Sequence, residues 1–274
     1  MSQTTLTLND GASIPRLGFG VWRVEDAQAP EIVGTALAAG YRSVDTAAAY
    51  GNEAGVGRAI RESGLSRDEV FVTTKLWNDR HGTDAALRAF DESLARLGLD
   101  HVDLYLVHWP VPGRNAYVET WRALIRLRDE GRARSIGVSN FTVAHLTRII
   151  AETGITPAVN QIELHPRFQQ PALRRFHAEA GIATEAWSPL GRGALLDDPA
   201  IAAIARKHGR TPAQVVLRWH LDIGNVAIPK SANPVRIREN ADVFGFALDR
   251  QDLAALTALD RPDGRIGPDP ETFG

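Results

Sequence analysis

The chain contains no cysteine in its 274 residues. That excludes disulfides, thiolate metal sites and a cysteine nucleophile, and it fits a cytoplasmic protein. Lysine is almost as scarce. Only Lys75, Lys207 and Lys230 occur among 31 basic residues, the others being arginine. Ordinary surface charge is therefore carried by arginine, and a lysine inside a strand pattern stands out as wanted for its chemistry. No run of about 18 apolar residues exists, so no membrane span is expected. The first residues have neither a basic nor an apolar region of the secretory kind, so no signal peptide is expected. A net charge of −2 gives no reason to expect nucleic acid or an acidic membrane as partner. The Gly-x-Gly-x-x-Gly fingerprint and the P-loop are both missing. Gly18-Phe19-Gly20 and Gly191-Arg192-Gly193 each lack the third glycine, so any nucleotide must be held another way. No His-x-His closes an early strand, and no metal site is expected.

What is present is a repeat of short apolar runs and longer segments of helical period, the pattern of βα units on a parallel sheet. Strands are expected at Leu17–Gly20, Arg42–Thr46, Val70–Lys75, Val102–His108, Ser135–Ser139, Ala158–Ile162, Ala183–Trp187 and Val226–Pro229. Helices are expected at 27–39, 52–63, 83–97, 116–130, 142–151, 171–180, 199–208 with 212–222, and 234–243. Eight such units close an α/β barrel, the (β/α)8 or TIM barrel, and residues 1–274 are read as one domain. Thr5–Asn9 and Ser13–Arg16 flank Asp10-Gly11 and read as a β-hairpin that plugs the N-terminal end. One more helix, at about 250–260, precedes a Pro- and Gly-containing tail that reads as loop.

Four ionisable residues fall at or just past predicted strand ends: Asp45, Tyr50, Lys75 and His108. In a closed parallel barrel all strand C-termini share one rim, so these residues converge there. Taken singly each has an ordinary reading, as cap, packing residue or satisfied strand-end histidine. Lys75 is the exception, because a lysine after Phe71-Val72-Thr73-Thr74 is expected to be buried and to need an anionic partner. Asp45 can supply it. Lys75 beside Tyr50 is expected to lower the phenol pKa from about 10 towards working pH, making a useful general acid. Trp22, Trp77, Trp109 and Trp187 also fall on rim loops or strand ends. Such indoles would wall a substrate pocket. The loop Gly191–Pro199 is short, so an open mouth is expected.

These residues lie in longer motifs: Asp45-Thr46-Ala47-x-x-Tyr50-x-Asn52-Glu53, Thr73-Thr74-Lys75-Leu76-Trp77, and Asp103-Leu104-Tyr105-Leu106-x-His108-Trp109-Pro110. Further on come Ile136-Gly137-Val138-Ser139-Asn140-Phe141, Asn160-Gln161-Ile162-Glu163-Leu164-His165-Pro166 and Ile228-Pro229-Lys230-Ser231. Together they resemble the aldo-keto reductases, from Leu6 to about Phe273, and within them most closely the bacterial 2,5-diketo-D-gluconate reductases. The resemblance implies NADPH-dependent reduction of an aldehyde, ketone or keto-sugar acid by an Asp45, Tyr50, Lys75, His108 tetrad. It also implies a protein that works as a monomer on a small molecule. Ser139, Asn140 and Gln161 match positions that hydrogen-bond the nicotinamide amide. Trp187 matches the aromatic on which the ring stacks, where many relatives carry Tyr. Ser188-Pro189-Leu190-Gly191 matches the pyrophosphate loop. Lys230, Ser231, Arg236, Glu239 and Asn240 match the adenosine end, with Asn233 where some relatives carry another Arg. Gly20, Trp22 and Asp45 complete the cofactor positions. Trp22, Ala47, Trp77, His108 and Trp109 match the substrate side.

Two rival chemistries fit parts of the pattern. One is a Schiff-base lyase or aldolase that uses Lys75 as nucleophile. The other is a barrel that binds NADPH with little turnover.

Overall fold

The computed structural model describes residues 4–274. A hairpin of β1 (Thr5–Thr7) and β2 (Ser13–Pro15) comes first. Eight parallel strands follow: β3 (Phe19–Gly20), β4 (Ser43–Asp45), β5 (Phe71–Leu76), β6 (Val102–Val107), β7 (Ala133–Ser139), β8 (Val159–Glu163), β9 (Ala183–Trp187) and β10 (Val226–Ala227). Each pairs with its neighbour in sequence order. The ends meet through a parallel bridge between Leu17 and Ala227, with Gly18 N–H donating to the Ala227 carbonyl at 2.9 Å. The sheet is thus closed into the expected barrel. Its first and last strands are shorter than expected, because the seam holds by single bridges rather than a regular ladder.

The helices are α1 (Ala29–Ala38), α2 (Glu53–Glu62), α3 (Thr83–Leu97), α4 (Tyr117–Asp129), α5 (Val143–Thr153), α6 (Pro171–Ala180), α7 (Pro199–His208), α8 (Pro212–Asp222), α9 (Pro234–Ala241) and α10 (Arg250–Thr257). Pro171, Pro199, Pro212 and Pro234 open four of them, where a missing N–H sacrifices no intrahelical bond. Asp198, Thr211, Asn233 and Asp249 cap with their side chains.

Strands β5 and β6 are buried along their whole length, one face toward the barrel axis and the other toward helices. On β6, Tyr105 faces outward against Phe90 of α3, with ring centroids 4.7 Å apart. Leu104 and Leu106 face inward, in a cluster with Leu8 and Ile14 of the hairpin. The hairpin therefore fills the N-terminal mouth, and Asn9 Nδ2 donates to the Pro157 carbonyl there at 3.0 Å. Its turn is not the two-residue Asp-Gly type. Leu8 N–H donates to the Ala12 carbonyl and Gly11 N–H to the Leu8 carbonyl, while Gly11 is left-handed at φ 87°. That is a three-residue loop in which Gly11 supplies the positive φ.

Candidate active site

Period-two alternation carries the functional side chains to the rim. The inward series Phe71, Thr73, Lys75 on β5 and Leu104, Leu106, His108 on and after β6 each end in an ionisable group. Asp45 ends β4. Ser139, Gln161 and Glu185 stand in register across β7, β8 and β9.

Lys75 is fully buried. Its Nζ donates to Asp45 Oδ1 at 2.6 Å and to the Thr46 carbonyl at 2.9 Å. An ammonium has three N–H groups, so one is left on the side of Tyr50, whose ring centroid is 5.1 Å from Nζ. Tyr50 ends a 3₁₀ turn, Ala48–Tyr50. Two buried motif residues brace that turn without reaching the groove. Asn52 donates to the Val21 and Val24 carbonyls at 3.0 and 2.8 Å and accepts from Thr46 Oγ1 at 2.7 Å. Glu53 accepts from Thr74 Oγ1 at 2.5 Å and Arg96 Nε at 2.7 Å. His108 lies edge-on to Tyr50 and to Trp77, with centroids 5.7 and 5.0 Å apart.

The electrostatics of this cluster correct one expectation. Burial pushes the Tyr50 phenol above its ordinary pKa; Lys75 pulls it down, and Asp45 and Glu185 push it up again. The net direction is upward, because desolvation of a phenolate outweighs one ammonium that two carboxylates already offset. Tyr50 is thereby kept in its acid form. Burial also works against the Lys75 ammonium, but Asp45, Tyr50 and Glu185 together hold its pKa above the ordinary value. A raised pKa favours the ammonium form of Lys75 over the free amine that a Schiff-base nucleophile needs. Burial, and then Lys75, hold the His108 imidazole well below its usual pKa. His108 is therefore neutral and can donate one N–H.

A groove of about 1090 Å³ crosses the rim from this cluster. Tyr50, His108, Trp22, Trp77 and Trp109 line it, with Gly20, Asp45, Ser139, Asn140, Gln161, Trp187, Ser188, Pro189 and Leu190. Lys230, Ser231, Arg236, Glu239 and Asn240, from the segment after β10 and from α9, complete the lining. Trp187 Nε1 donates to Asn140 Oδ1 at 2.8 Å, and Asn140 Nδ2 donates to Ser139 Oγ at 2.9 Å and the His108 carbonyl at 3.0 Å. The indole N–H thus anchors Asn140, a bond from a ring position where a phenol has no donor. Among the described residues Arg236 and Lys230 form no ion pair, not even Arg236 with Glu239 one helical turn on. Asn233 caps α9 through Val235 and Arg236 N–H, which leaves its side chain committed to the helix.

Three expected site residues do not reach the groove, the first being Lys75, which lies fully buried behind Tyr50 and Asp45. Ala47 is fully buried, because the 3₁₀ turn that follows sends Ala49 and Tyr50 to the lining instead. Gly191 is buried at φ 53°, and a Cβ there would stand 2.5 Å from Leu195, so it serves the turn. The sequence reading also missed several residues. Arg23 and Arg192 both stack on Trp22, at 4.2 and 5.1 Å from its ring centroid. The short loop after β9 therefore meets the loop after β3 at Trp22. Arg23, Asn140, Ser188 and Arg192 have positive φ, four of the seven non-glycine residues that do among the described residues. Backbone strain is thus concentrated on this groove, as at binding sites generally. Glu185 was detectable as a lone acid in the strand Ala183-Thr184-Glu185-Ala186-Trp187.

The tail supplies a wall with no signal in its own sequence. Phe273 packs on Trp109 and Trp77, with centroids 4.5 and 6.5 Å away. Glu163 of β8 holds the tail by accepting from Ile266 N–H at 2.6 Å and Gly267 N–H at 2.8 Å. Bonds to a charged acceptor are worth roughly 1.5–3 kcal/mol each. Glu163→Ala should therefore speed limited proteolysis of the tail and raise KM for an aromatic aldehyde about tenfold, with kcat little changed. An unchanged KM and digestion pattern would show that other contacts, such as Phe273 on Trp109 and Arg265 over Phe168, hold the tail without Glu163.

The rim of this parallel barrel thus joins a buried Lys–Asp pair, an acid-form phenol and a groove that also carries Lys230 and Arg236. The chain belongs to the aldo/keto reductase family, whose model matches residues 16–261. It is 58% identical over 268 residues to an aldo-keto reductase of Mycolicibacterium smegmatis, covering 98% of this chain and 97% of that one. It is 50% identical over 273 residues to the methylglyoxal reductase DkgA of Escherichia coli K12, covering 99% and 98%. Among solved structures, a point mutant of Gox0644 in complex with NADPH superposes with a TM-score of 0.97 at 52% identity, each chain wholly covered.

Proposed function

We infer that the protein reduces a carbonyl carbon to an alcohol with NADPH as hydride donor. The observation that carries this is Tyr50, held in its acid form between the Lys75–Asp45 pair and His108, on the wall of a groove of about 1090 Å³ that also carries Trp187, Lys230 and Arg236. The residues fit that cofactor. The Trp187 face can take the nicotinamide, the polar set of Ser139, Asn140 and Gln161 its carboxamide, and the cations Lys230 and Arg236 a phosphate. Bound NADPH would supply the hydride; the chain supplies orientation, polarity and the proton. His108 N–H positions the carbonyl oxygen, and Tyr50 Oη protonates it as negative charge develops. Lys75 and Asp45 hold the phenol in place and offset the charge it acquires.

For substrate class we propose dicarbonyl compounds of the methylglyoxal kind and keto-sugar acids such as 2,5-diketo-D-gluconate. The support is the likeness to a half-identical methylglyoxal reductase and a pocket walled by Trp22, Trp77, Trp109 and Phe273. A panel of carbonyls followed by NADPH absorbance tests the reading. Turnover of none of them would reject it.

The groove cations Lys230 and Arg236 yield a sharper prediction. Only the 2′-phosphate separates NADPH from NADH. Arg236→Ala should weaken NADPH binding by about one to two decades, from loss of one charge-assisted contact of roughly 1.5–3 kcal/mol. NADH binding should hardly change, and the deficit should shrink at high salt because Arg236 is exposed. Fluorescence titration of both cofactors measures this. An equal loss for both would mean that Arg236 supports the shared adenosine half or the fold.

A further inference from the structure

We propose that Glu185 is a positioning residue for the proton donor: a second buried carboxylate, tied to Asp45 through the Gln161 amide, whose charge sets how tightly Tyr50 holds its proton. The proposal rests on the reading of Tyr50 as donor, and it assigns a role to a residue outside the Asp45–Tyr50–Lys75–His108 set.

The geometry is a continuous chain. Glu185 is fully buried. Its Oε2 accepts from Gln161 Nε2 at 2.7 Å, and the same Nε2 donates to Asp45 Oδ2 at 2.8 Å. Asp45 Oδ1 in turn accepts from Lys75 Nζ at 2.6 Å, and Lys75 faces Tyr50. The two N–H groups of the Gln161 amide are both spent inward, which leaves its carbonyl oxygen as the atom free to meet a ligand.

One ammonium thus stands against two carboxyl groups, all three buried. The groups that face Glu185 are Asp45 from β4, Lys75 from β5, Gln161 from β8 and Tyr50 from the turn after β4. Its neighbour in register on β10 is the apolar Val226. Asp45 takes the ion pair directly. Glu185 has only an amide between itself and that pair, and its Oε1 has no hydrogen-bond partner. An unpartnered buried oxygen is tolerated far better on a neutral carboxyl than on a carboxylate. Burial, then repulsion from Asp45, push the Glu185 carboxyl up to about 7. His108 is held too low to titrate in that range. Glu185 is therefore the member of the cluster that changes charge near neutral pH.

The sign of its effect follows. Below its pKa Glu185 is neutral, and Lys75 is balanced by Asp45 alone. Above it a second anion appears, and the Tyr50 phenolate becomes harder to form. Glu185 thus keeps Tyr50 protonated as the solution turns alkaline. Proton uptake by the cluster and proton donation by Tyr50 are linked without Glu185 touching the substrate.

The test uses Glu185→Gln, which keeps shape and removes the charge. In the NADPH-loaded enzyme with benzaldehyde as probe, the alkaline limb of the reduction profile should move down by about one pH unit, the order expected of one nearby buried charge. The inflection near neutral pH should vanish. Tyrosinate absorbance, taken as the difference between proteins with and without Tyr50→Phe, should shift downward by a similar amount. A folded Glu185→Gln protein with both Tyr50 titration and alkaline limb unmoved would overturn the proposal. Should that variant fail to fold, NMR of wild-type protein labelled at its glutamate carboxyls decides: one carboxyl must change charge near neutral pH, and its absence also overturns the proposal. Full activity of Tyr50→Phe would instead reject Tyr50 as donor, while the tyrosinate titration would still decide whether Glu185 controls it.

Discussion

Tyr50→Phe should lower kcat for a good aldehyde at least ~10²-fold, the scale of general acid catalysis, while NADPH affinity stays nearly constant. The substitution removes one oxygen and keeps the ring. The edge contact with His108 and the placement of Lys75 over the ring face both survive it. What is lost is the phenol hydroxyl beside the Lys75–Asp45 pair on the groove wall. Stopped-flow measurement of hydride transfer separates this loss from product release. Near wild-type reduction by the variant would place the proton donor elsewhere.

Lys75→Met should have two large effects of different origin. Catalysis should fall by a factor similar to that of Tyr50→Phe, since the phenolate formed during proton donation loses its adjacent cation. Stability should fall too, because Asp45 is left as a buried charge without its partner. Breaking such a pair costs about 3–5 kcal/mol. The pair is buried on both sides, with 0% and 3% of the side chains exposed, so solvent cannot soften the loss. Adding Asp45→Asn to Lys75→Met should restore much of the thermal stability and none of the activity. Lys75→Arg should not rescue catalysis, because a planar fork does not replace a point charge in a closed site. Thermal unfolding and steady-state kinetics on the same preparations check both effects. Full activity of Lys75→Arg would sink the argument that a compact ammonium is required.

The β1–β2 hairpin shows where local reading gave the element but not its detail. Asp10-Gly11 marked a turn, yet the loop takes three residues because the Leu8–Ala12 bond sets the register. Strand and helix positions were legible because period-two and period-3.6 patterns, prolines and caps act over a few residues. The α3 segment Thr83–Leu97 and the α6 segment Pro171–Ala180 appear with their expected bounds.

By itself the sequence determined the barrel, the shared rim and the kinds of side chain that end its strands. Alternation along a strand and closure of a parallel sheet require nothing beyond chain-local pattern and topology. Only the tertiary structure decided how those side chains share charge. Tyr50 is pushed up rather than down in pKa because burial is set by the whole shell around it and because Glu185 joins the cluster from β9, far along the chain. Gln161 has both its N–H groups committed for the same reason. Arg192 on Trp22 and Phe273 on Trp109 are likewise contacts between distant segments, invisible to any periodicity. Electrostatics and pocket walls depend on distances through space, and those exist only once the barrel has closed.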